Sequence, residues 1–487
     1  MPPPTPPTPT SDQVHAYRFG LRRLQSALVG RQAVPGADRL RAQGRATVAG
    51  VLIAALALGV AAVWGLLDRP ADWRTAGVVV AAGSGALYVV VHEPDRLVPV
   101  PNLASARLVL AGLAAAGGPA GNPAPVEVGD AELATAPRER GVGIVDAPPL
   151  PPAGAPVPPI WSVCDTGSPQ PGAARPWEQP RVWTTVLAGA QVPARPLEPG
   201  RGLLLRDRFL GTWLVHDGVR SRLDLRDPAV VVAFGLTGQL PRPVSTSLLN
   251  TLPEGAPVVA PVIAGRGEVP PTGPLVGEPV GGVVRLVGPG TPDRWYVVQR
   301  EGVQEVPEVV ARLVRLADPD PARAGAPVPV VSPGQLRPLG TARGIAVSAY
   351  PDPVPRAVPM ADAPTTCASA DGGGPVVLTV GAEAPAAATP PTTLAQADGS
   401  GERVDAVAVP GGGVTVRAVP PGRPDAPGSP TVVSGSGTAC AVPDPATAEA
   451  LGLGTAFPPA PQAIVGLLPA GPALSVADAL TPLPAGG

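Results

Sequence analysis

The residues able to do chemistry are few and far apart. Three cysteines, Cys164, Cys367 and Cys440, lie 203 and 73 residues from one another with no CxxC pair. That spacing argues against a metal site. Spacing alone leaves three pairings open, each with one thiol over; a Cys164–Cys367 bridge would join the stretches 158–200 and 318–400 into one central domain. His92 and His216 fall in strand-forming stretches, where they read as surface or edge positions rather than general bases, and His15 sits in the N-terminal tail. Ser84, between Gly83 and Gly85, suits a turn. The carboxylates form no pair spaced for acid–base work, and no GxSxG, HExxH or GxGxxG motif occurs. No catalytic, cofactor-binding or metal-binding constellation is expected.

A second exclusion is chemical. All 36 basic residues are arginine. A Walker A loop needs its lysine to reach the β- and γ-phosphates, and Schiff-base or Ser–Lys chemistry needs the same amine. The chain also carries 72 Pro and 60 Gly in 487 residues, yet 45% of it is apolar and only 15% charged. Pro-rich connectors between short patterned segments reconcile those proportions.

The elements that must hold such a chain begin with one uncharged run, Ala46 to Leu67. Its 22 residues span roughly 33 Å as a helix, about the thickness of a bilayer's hydrocarbon core. Residues 1–45 carry seven arginines against Asp12 and Asp38, while the chain after the run is net negative. Arginine on the short flank predicts that this flank stays in the cytoplasm and the rest lies outside. Trp64 and Trp73 suit an interfacial anchor, although Trp73 equally suits the start of the folded part. Within the tail, residues 1–10 are Pro/Thr-rich and expected to be disordered. Val14, Tyr17, Leu21, Leu24 and Leu28 then fall on one helical stripe over about 13–30, with Arg18, Arg22 and Arg23 off it. Such a helix suits either anionic lipid or a partner protein.

Beyond the membrane run a layout recurs: two β-rich runs, then a helical run. It spans 77–111, 202–236, 282–317 and, more loosely, 403–453. An aromatic, Tyr88, Trp213 or Tyr296, marks the second strand of the first three, with Val416 standing in for it in the fourth. Asn102, Asp227 and Asp444 are placed as helix N-caps, with Pro228 and Pro445 at the first helical position; the third copy lacks a cap at Val306–Pro307. A unit of about 35 residues is small to stand alone, so the copies are expected to pack on neighbours.

These segments, in order, resemble one family. QVHAYRFGLRRLQSALV (13–29), SGALYVVV (84–91), NLASARLVL (102–110), GVGIVDAPP (141–149), WSVCDTG (161–167), SLLNTLPE (247–254), RWYVVQREGVQEV (294–306) and DPATAEALGLG (444–454) together are similar to EccB, a membrane component of type VII (ESX) secretion systems. The resemblance implies a scaffold that joins an EccC-type motor ATPase, EccD and EccE, and an outer part with a central domain and four repeats. It also implies that Cys164 and Cys367 are the disulfide pair of the central domain and that Cys440 is unpaired. The family often carries an ATPase label, which the missing lysine does not support for a P-loop.

The expectation is therefore an α+β, β-rich chain: a tail over 1–45, a single transmembrane helix over 46–67, four small repeats, and a central mixed β domain built from parts of 112–200 and 318–400. Residues 237–281 are read as a connector and 454–487 as a C-terminal tail. The function expected is assembly of a secretion complex in the inner membrane, with self-association through the outer region and no nucleic-acid partner. The alternatives are an extracytoplasmic ATPase of that complex and a stand-alone, membrane-anchored cell-wall-binding protein.

Overall fold

The computed structural model describes residues 10–30, 37–67, 72–117, 121, 123–152, 154, 156–189, 195–271, 275–288, 290–383, 386–387 and 389–484. The Pro/Thr-rich start, apart from Thr10, and the side chain of Trp64 lie outside them. The chain divides into two bodies, Met1–Asp72 and Trp73–Gly487.

The first body holds two helices, α1 (Ser11–Gly30) and α2 (Ala37–Leu67). α2 is 31 residues long and starts nine residues before the apolar run. Seven of the nine residues of 37–45 are Ala, Arg, Leu or Gln, good helix formers that outweigh Asp38 and Gly44, and no proline stops the helix at the charge boundary. Within it Gln43–Val63 is the one segment among the described residues long and apolar enough to cross a membrane, and none of it is buried against protein.

The second body opens at Trp73, which is buried in the first small core. Four small sheets there share a layout. In the first, Val78–Ala81, Leu87–Val91 and Arg96–Val100 run antiparallel, the helix Leu103–Ala115 follows, and Val126–Val128 returns parallel to the first strand. The second uses Arg201–Arg206, Thr212–His216, Val219–Leu223 and Arg242–Pro243, with Arg356–Ala357 as a fifth strand parallel to the first of them, and the third Val283–Gly288, Thr291–Gln299, Gly302–Val306 and Val330–Val331. The fourth uses Gly413–Val419, Pro430–Ser434, Ala439–Ala441 and Pro459–Pro461. In each the order places the fourth strand beside the first.

The sequence pattern of two strands and a helix is thus two strands short. The second β-rich run folds into two strands because a tight turn interrupts it, at Asp217–Gly218 in the second sheet for instance. The fourth strand has only two or three residues, too few for a period to register. Three residue placements also change. Ala406–Ala408, expected in the fourth copy, pairs instead with Arg181–Ala188 of the central sheet. Val416 lies on the first strand of its sheet, opposite Thr431 on the second. Trp213 pairs with Leu205, whereas Tyr88 and Tyr296 pair with Val79 and Val284, one position earlier in their first strands. One step along a strand is the opposite face, so Trp213 matches Trp295, not the tyrosines.

The fifth sheet has seven strands in the order Thr392–Thr393, Ala406–Ala408, Arg181–Ala188, Ile160–Ser168, Thr365–Asp371, Val377–Gly381, Arg195–Pro196. Its core includes Trp161, Val186 and Ala368, and continues into Leu203 and Leu205 of the second sheet, Val414 and Val416 of the fourth, and Leu248 and Ile464 of the helices Thr246–Thr251 and Gln462–Val465. The other apolar faces pair off. Leu204, Val230 and Phe234 of the second share a core with Val283, Val310 and Leu313 of the third. Val78, Ala104 and Leu108 of the first share one with Val432, Ala448 and Leu451 of the fourth. Cores therefore connect first to fourth, fourth to central, central to second, second to third. Leu474 and Ala479 complete the first-and-fourth core, and Leu483 and Thr481 exchange backbone hydrogen bonds with Gly141 and Gly143 (2.9 and 3.1 Å).

Candidate functional site

The central sheet holds the chemistry of the body, and it is inward. Cys164 and Cys367 face each other on adjacent antiparallel strands, in register, and form a disulfide. Beside them Asp165 is buried completely. Its carboxylate accepts from the Ser245 backbone N–H at 2.6 Å and from the Thr184 hydroxyl at 2.8 Å. Thr184 N–H in turn donates to Asp405 at 2.8 Å, and Asp405 also accepts from the N–H groups of Asp398 and Gly399 (2.9 Å each). Burial pushes Asp165 up to about 6, against the pull of Ser245 and Thr184 and with a small push from Asp405. Arg242, lowered to about 10 by burial, donates to the Thr366 hydroxyl and to the carbonyls of Val358 and Pro359. Hydrogen bonds to a charged group contribute roughly 1.5–3 kcal/mol each. Ser245 also caps the helix Thr246–Thr251 through its side chain, so Asp165 ties that helix to the central sheet. This arrangement locks elements together; it leaves no reactive atom facing solvent.

Two features face outward. On α1 the stripe residues are exposed, from 36% at Val14 to 80% at Leu28. In the body, the turn joining the first two strands of the second sheet shows Phe209 and Leu210, 75% and 77% exposed. Asp207 fixes this turn, accepting from the N–H groups of Phe209 and Gly211 (2.8 Å each) and from Trp213 Nε1 (3.0 Å). A Cβ at Gly211 would sit 2.5 Å from the Asp207 carboxylate, so only glycine lets that cage close. Leu210 is held at φ +64°, a conformation costing an ordinary side chain about 1–2 kcal/mol. At the other end of the strand Arg201–Arg206 a cleft of about 430 Å³ opens, with Leu197, Val358 and Val380 on its walls and Glu198, Asp362 and Arg201 among its charges.

His92 and His216 each contact a neighbouring carboxylate, Asp95 at 3.0 Å and Asp217 at 3.2 Å. Asn102, Asp227 and Asp444 cap their helices through side-chain oxygens, and the helix Glu308–Leu316 has no side-chain cap. Cys440 is a buried free thiol, pushed up to about 11 by burial. Among the described residues no three His, Cys, Asp or Glu side chains cluster to hold a metal. The sequence reading missed Phe209–Leu210. The signal was there: two large apolar residues where a turn ordinarily places Gly, Asn or Ser.

A chain with one helix of bilayer length, a basic amphipathic helix before it and a large disulfide-bonded, many-sheeted body after it is a membrane-anchored multidomain protein. Comparison with known proteins gives the family. A model described as type VII secretion system ESX-1, transport TM domain B, matches residues 7–484. The chain is 34% identical to the ESX-3 secretion system ATPase EccB3 of Mycolicibacterium smegmatis, over 97% of its own length and 90% of that protein. It is 31% identical to the ESX-5 secretion system ATPase EccB5 of Mycobacterium marinum, over 97% and 93%. Two solved structures are similar. A chain of an intact ESX-5 inner membrane complex matches with TM-score 0.67 and 30% identity, covering 99% of this chain and 96% of that one. A chain of an EccB3 dimer from the ESX-3 core complex matches with TM-score 0.67 and 30% identity, covering 83% and all of it. The chain belongs to the EccB family.

Proposed function

We propose that this chain is an assembly subunit of the type VII secretion membrane complex, single-pass in the inner membrane and self-associating. The observation that carries the reading is similarity along nearly the whole chain to a protein within an ESX-5 inner membrane complex. Similarity to a chain solved as a dimer supports self-association. The arginine-rich tail lies in the cytoplasm and the body outside, on the charge asymmetry around α2. The stripe Val14, Tyr17, Leu21, Leu24 and Leu28 docks a partner helix or groove, and the partners are an EccC-type motor ATPase, EccD and EccE. The four small sheets are copies of one unit arranged around the central domain, with Cys164–Cys367 as its staple.

The relatives' names include ATPase. Against a P-loop activity here stands the absence of lysine. The 430 Å³ cleft also carries two carboxylates against one arginine, the wrong balance for a polyphosphate. The test is a mild-detergent pull-down of the tagged full-length chain beside a version lacking residues 11–30, read by mass spectrometry. The reading expects the intact chain to bring down an FtsK-like ATPase and polytopic membrane proteins, and the shortened one to lose them. An intact chain that comes down alone overturns it.

A further inference from the structure

We infer that the Phe209–Leu210 turn of one copy of this chain seats in the cleft beside Leu197, Val358 and Val380 of a second copy. The inference deepens the proposed self-association and rests on it. Four observations converge.

The first is what the turn shows. Phe209 and Leu210 are the two most exposed large apolar side chains of their sheet's hairpins, and they stand side by side. The second is that they are held ready. Three hydrogen bonds to the Asp207 carboxylate fix the turn, and Leu210 keeps a positive φ that a loose loop would relax. A tip already fixed loses little freedom on docking, which is how rigid anchors gain affinity. The third is complementarity. The cleft, about 430 Å³, lies within the ~300–1,000 Å³ range of pockets that enclose a ligand. Its apolar wall meets two carboxylates, Glu198 and Asp362, with Arg201 as the one cation. Arg208 stacks on the Phe209 ring, 4.6 Å from guanidinium to centroid, so a cation arrives with the apolar tip. Its present ion pair with Glu402, at 3.2 Å, is solvent-exposed on both sides, and an exposed pair of that kind exchanges partners at little cost.

The fourth observation decides between a contact within one copy and a contact between two. Cleft and tip lie at opposite ends of the strand Arg201–Arg206, which at ~3.3 Å per residue separates them by roughly 17 Å along a rigid strand. A copy cannot fill its own cleft. The contact uses different surfaces on the two partners, so it either reciprocates across a two-fold, each tip in the other copy's cleft, or runs head to tail until a ring closes.

The experiment is site-directed cross-linking of full-length chains in detergent, in a Cys440→Ala background so that the native disulfide is the one remaining cysteine pair. Copies with one tag carry Phe209→Cys; copies with another tag carry Val358→Cys; the two are co-expressed and oxidised. The expected result is a mixed-tag dimer that requires both cysteines and is not formed when Glu449→Cys replaces Val358→Cys. The double variant Phe209→Ser/Leu210→Ser should weaken self-association about tenfold or more, with its thermal unfolding unchanged. Arg208→Glu should weaken it as well, and Glu198→Arg/Asp362→Arg in the partner copy should restore it. Absence of the mixed-tag dimer from chains that still carry the native disulfide overturns the inference. So does capture of Phe209→Cys by a different protein of the complex. If the pull-down still recovers membrane partners in either case, the assembly reading survives the loss of this contact. If the cross-link forms and the partners are absent, the assembly reading falls and the contact stands.

Discussion

The two bodies treat the same residue types in opposite ways. α1 leaves Tyr17, Leu21 and Leu24 in the open and has no core to hide them in. The body does the reverse with charge: Asp165, Asp405 and Arg242 are buried, each with hydrogen-bond partners. A large exposed apolar stripe is a demand for a partner, whereas a hydrogen-bonded buried polar network specifies one internal arrangement. The contrast teaches where to look for recognition and where for stability. Phe209 and Leu210 depart from the body's pattern as an adjacent pair of large apolar side chains, 75% and 77% exposed, on a turn held by Asp207.

The sharpest way to break the comparison is to charge the stripe. Leu21→Asp/Leu24→Asp should reduce co-purified membrane partners about tenfold or more, read by quantitative mass spectrometry, while the body's unfolding stays where it was. A shifted unfolding midpoint would mean the stripe packs on the body and is no recognition surface. Next in size is the staple. Cys164→Ser/Cys367→Ser should cost roughly 2–5 kcal/mol in denaturant unfolding of the body, because the bridge closes a 203-residue loop. It should leave partner capture by α1 intact.

The third test concerns the hidden charge. Burial raises Asp165 from 3.8 to about 6, so the folded protein holds this proton more tightly than the unfolded chain does. That contribution to stability is fully present below about pH 3.8 and is lost as pH rises through about 6, amounting to about 3 kcal/mol at 1.36 kcal/mol per unit. Asp165→Asn removes the titration. The stability of the native protein minus that of the variant should fall between pH 4 and 6.5, followed by urea midpoints; a flat difference would remove the buried charge from the comparison. The smallest effects belong to the helix ends. Asp227→Ala should cost about 1 kcal/mol through the lost cap to Ala229 N–H. Glu308→Ala, which breaks an exposed pair with Arg312, should change thermal stability by no more than about 0.5 kcal/mol.

How much of this was legible depends on the length of the signal. The membrane run and the α1 stripe extend over many residues with one period, and both helices appear, with α2 longer than its apolar part. The caps at Asn102, Asp227 and Asp444 are single-residue signals with a local mechanism, and they read directly. The pairing of first sheet with fourth and second with third was not legible, since a hydrophobic face does not say which other face it meets. Nor was the assignment of Ala406–Ala408 to the central sheet, because three apolar residues beside a Gly-rich turn look the same in either sheet. Asp165 could have been suspected only as a charge inside an otherwise strand-like WSVCDTG.

The union of the first small sheet with the last has a consequence for how the molecule is made. Leu474 and Ala479 finish a core that Val78 begins. A chain emerging from its N-terminal end therefore carries an uncovered apolar face until Leu474 and Ala479 arrive. Contacts of such long range form slowly. A chain that stops before Leu474 would present that open face to proteases, so the fold itself tests whether this stretch has been made.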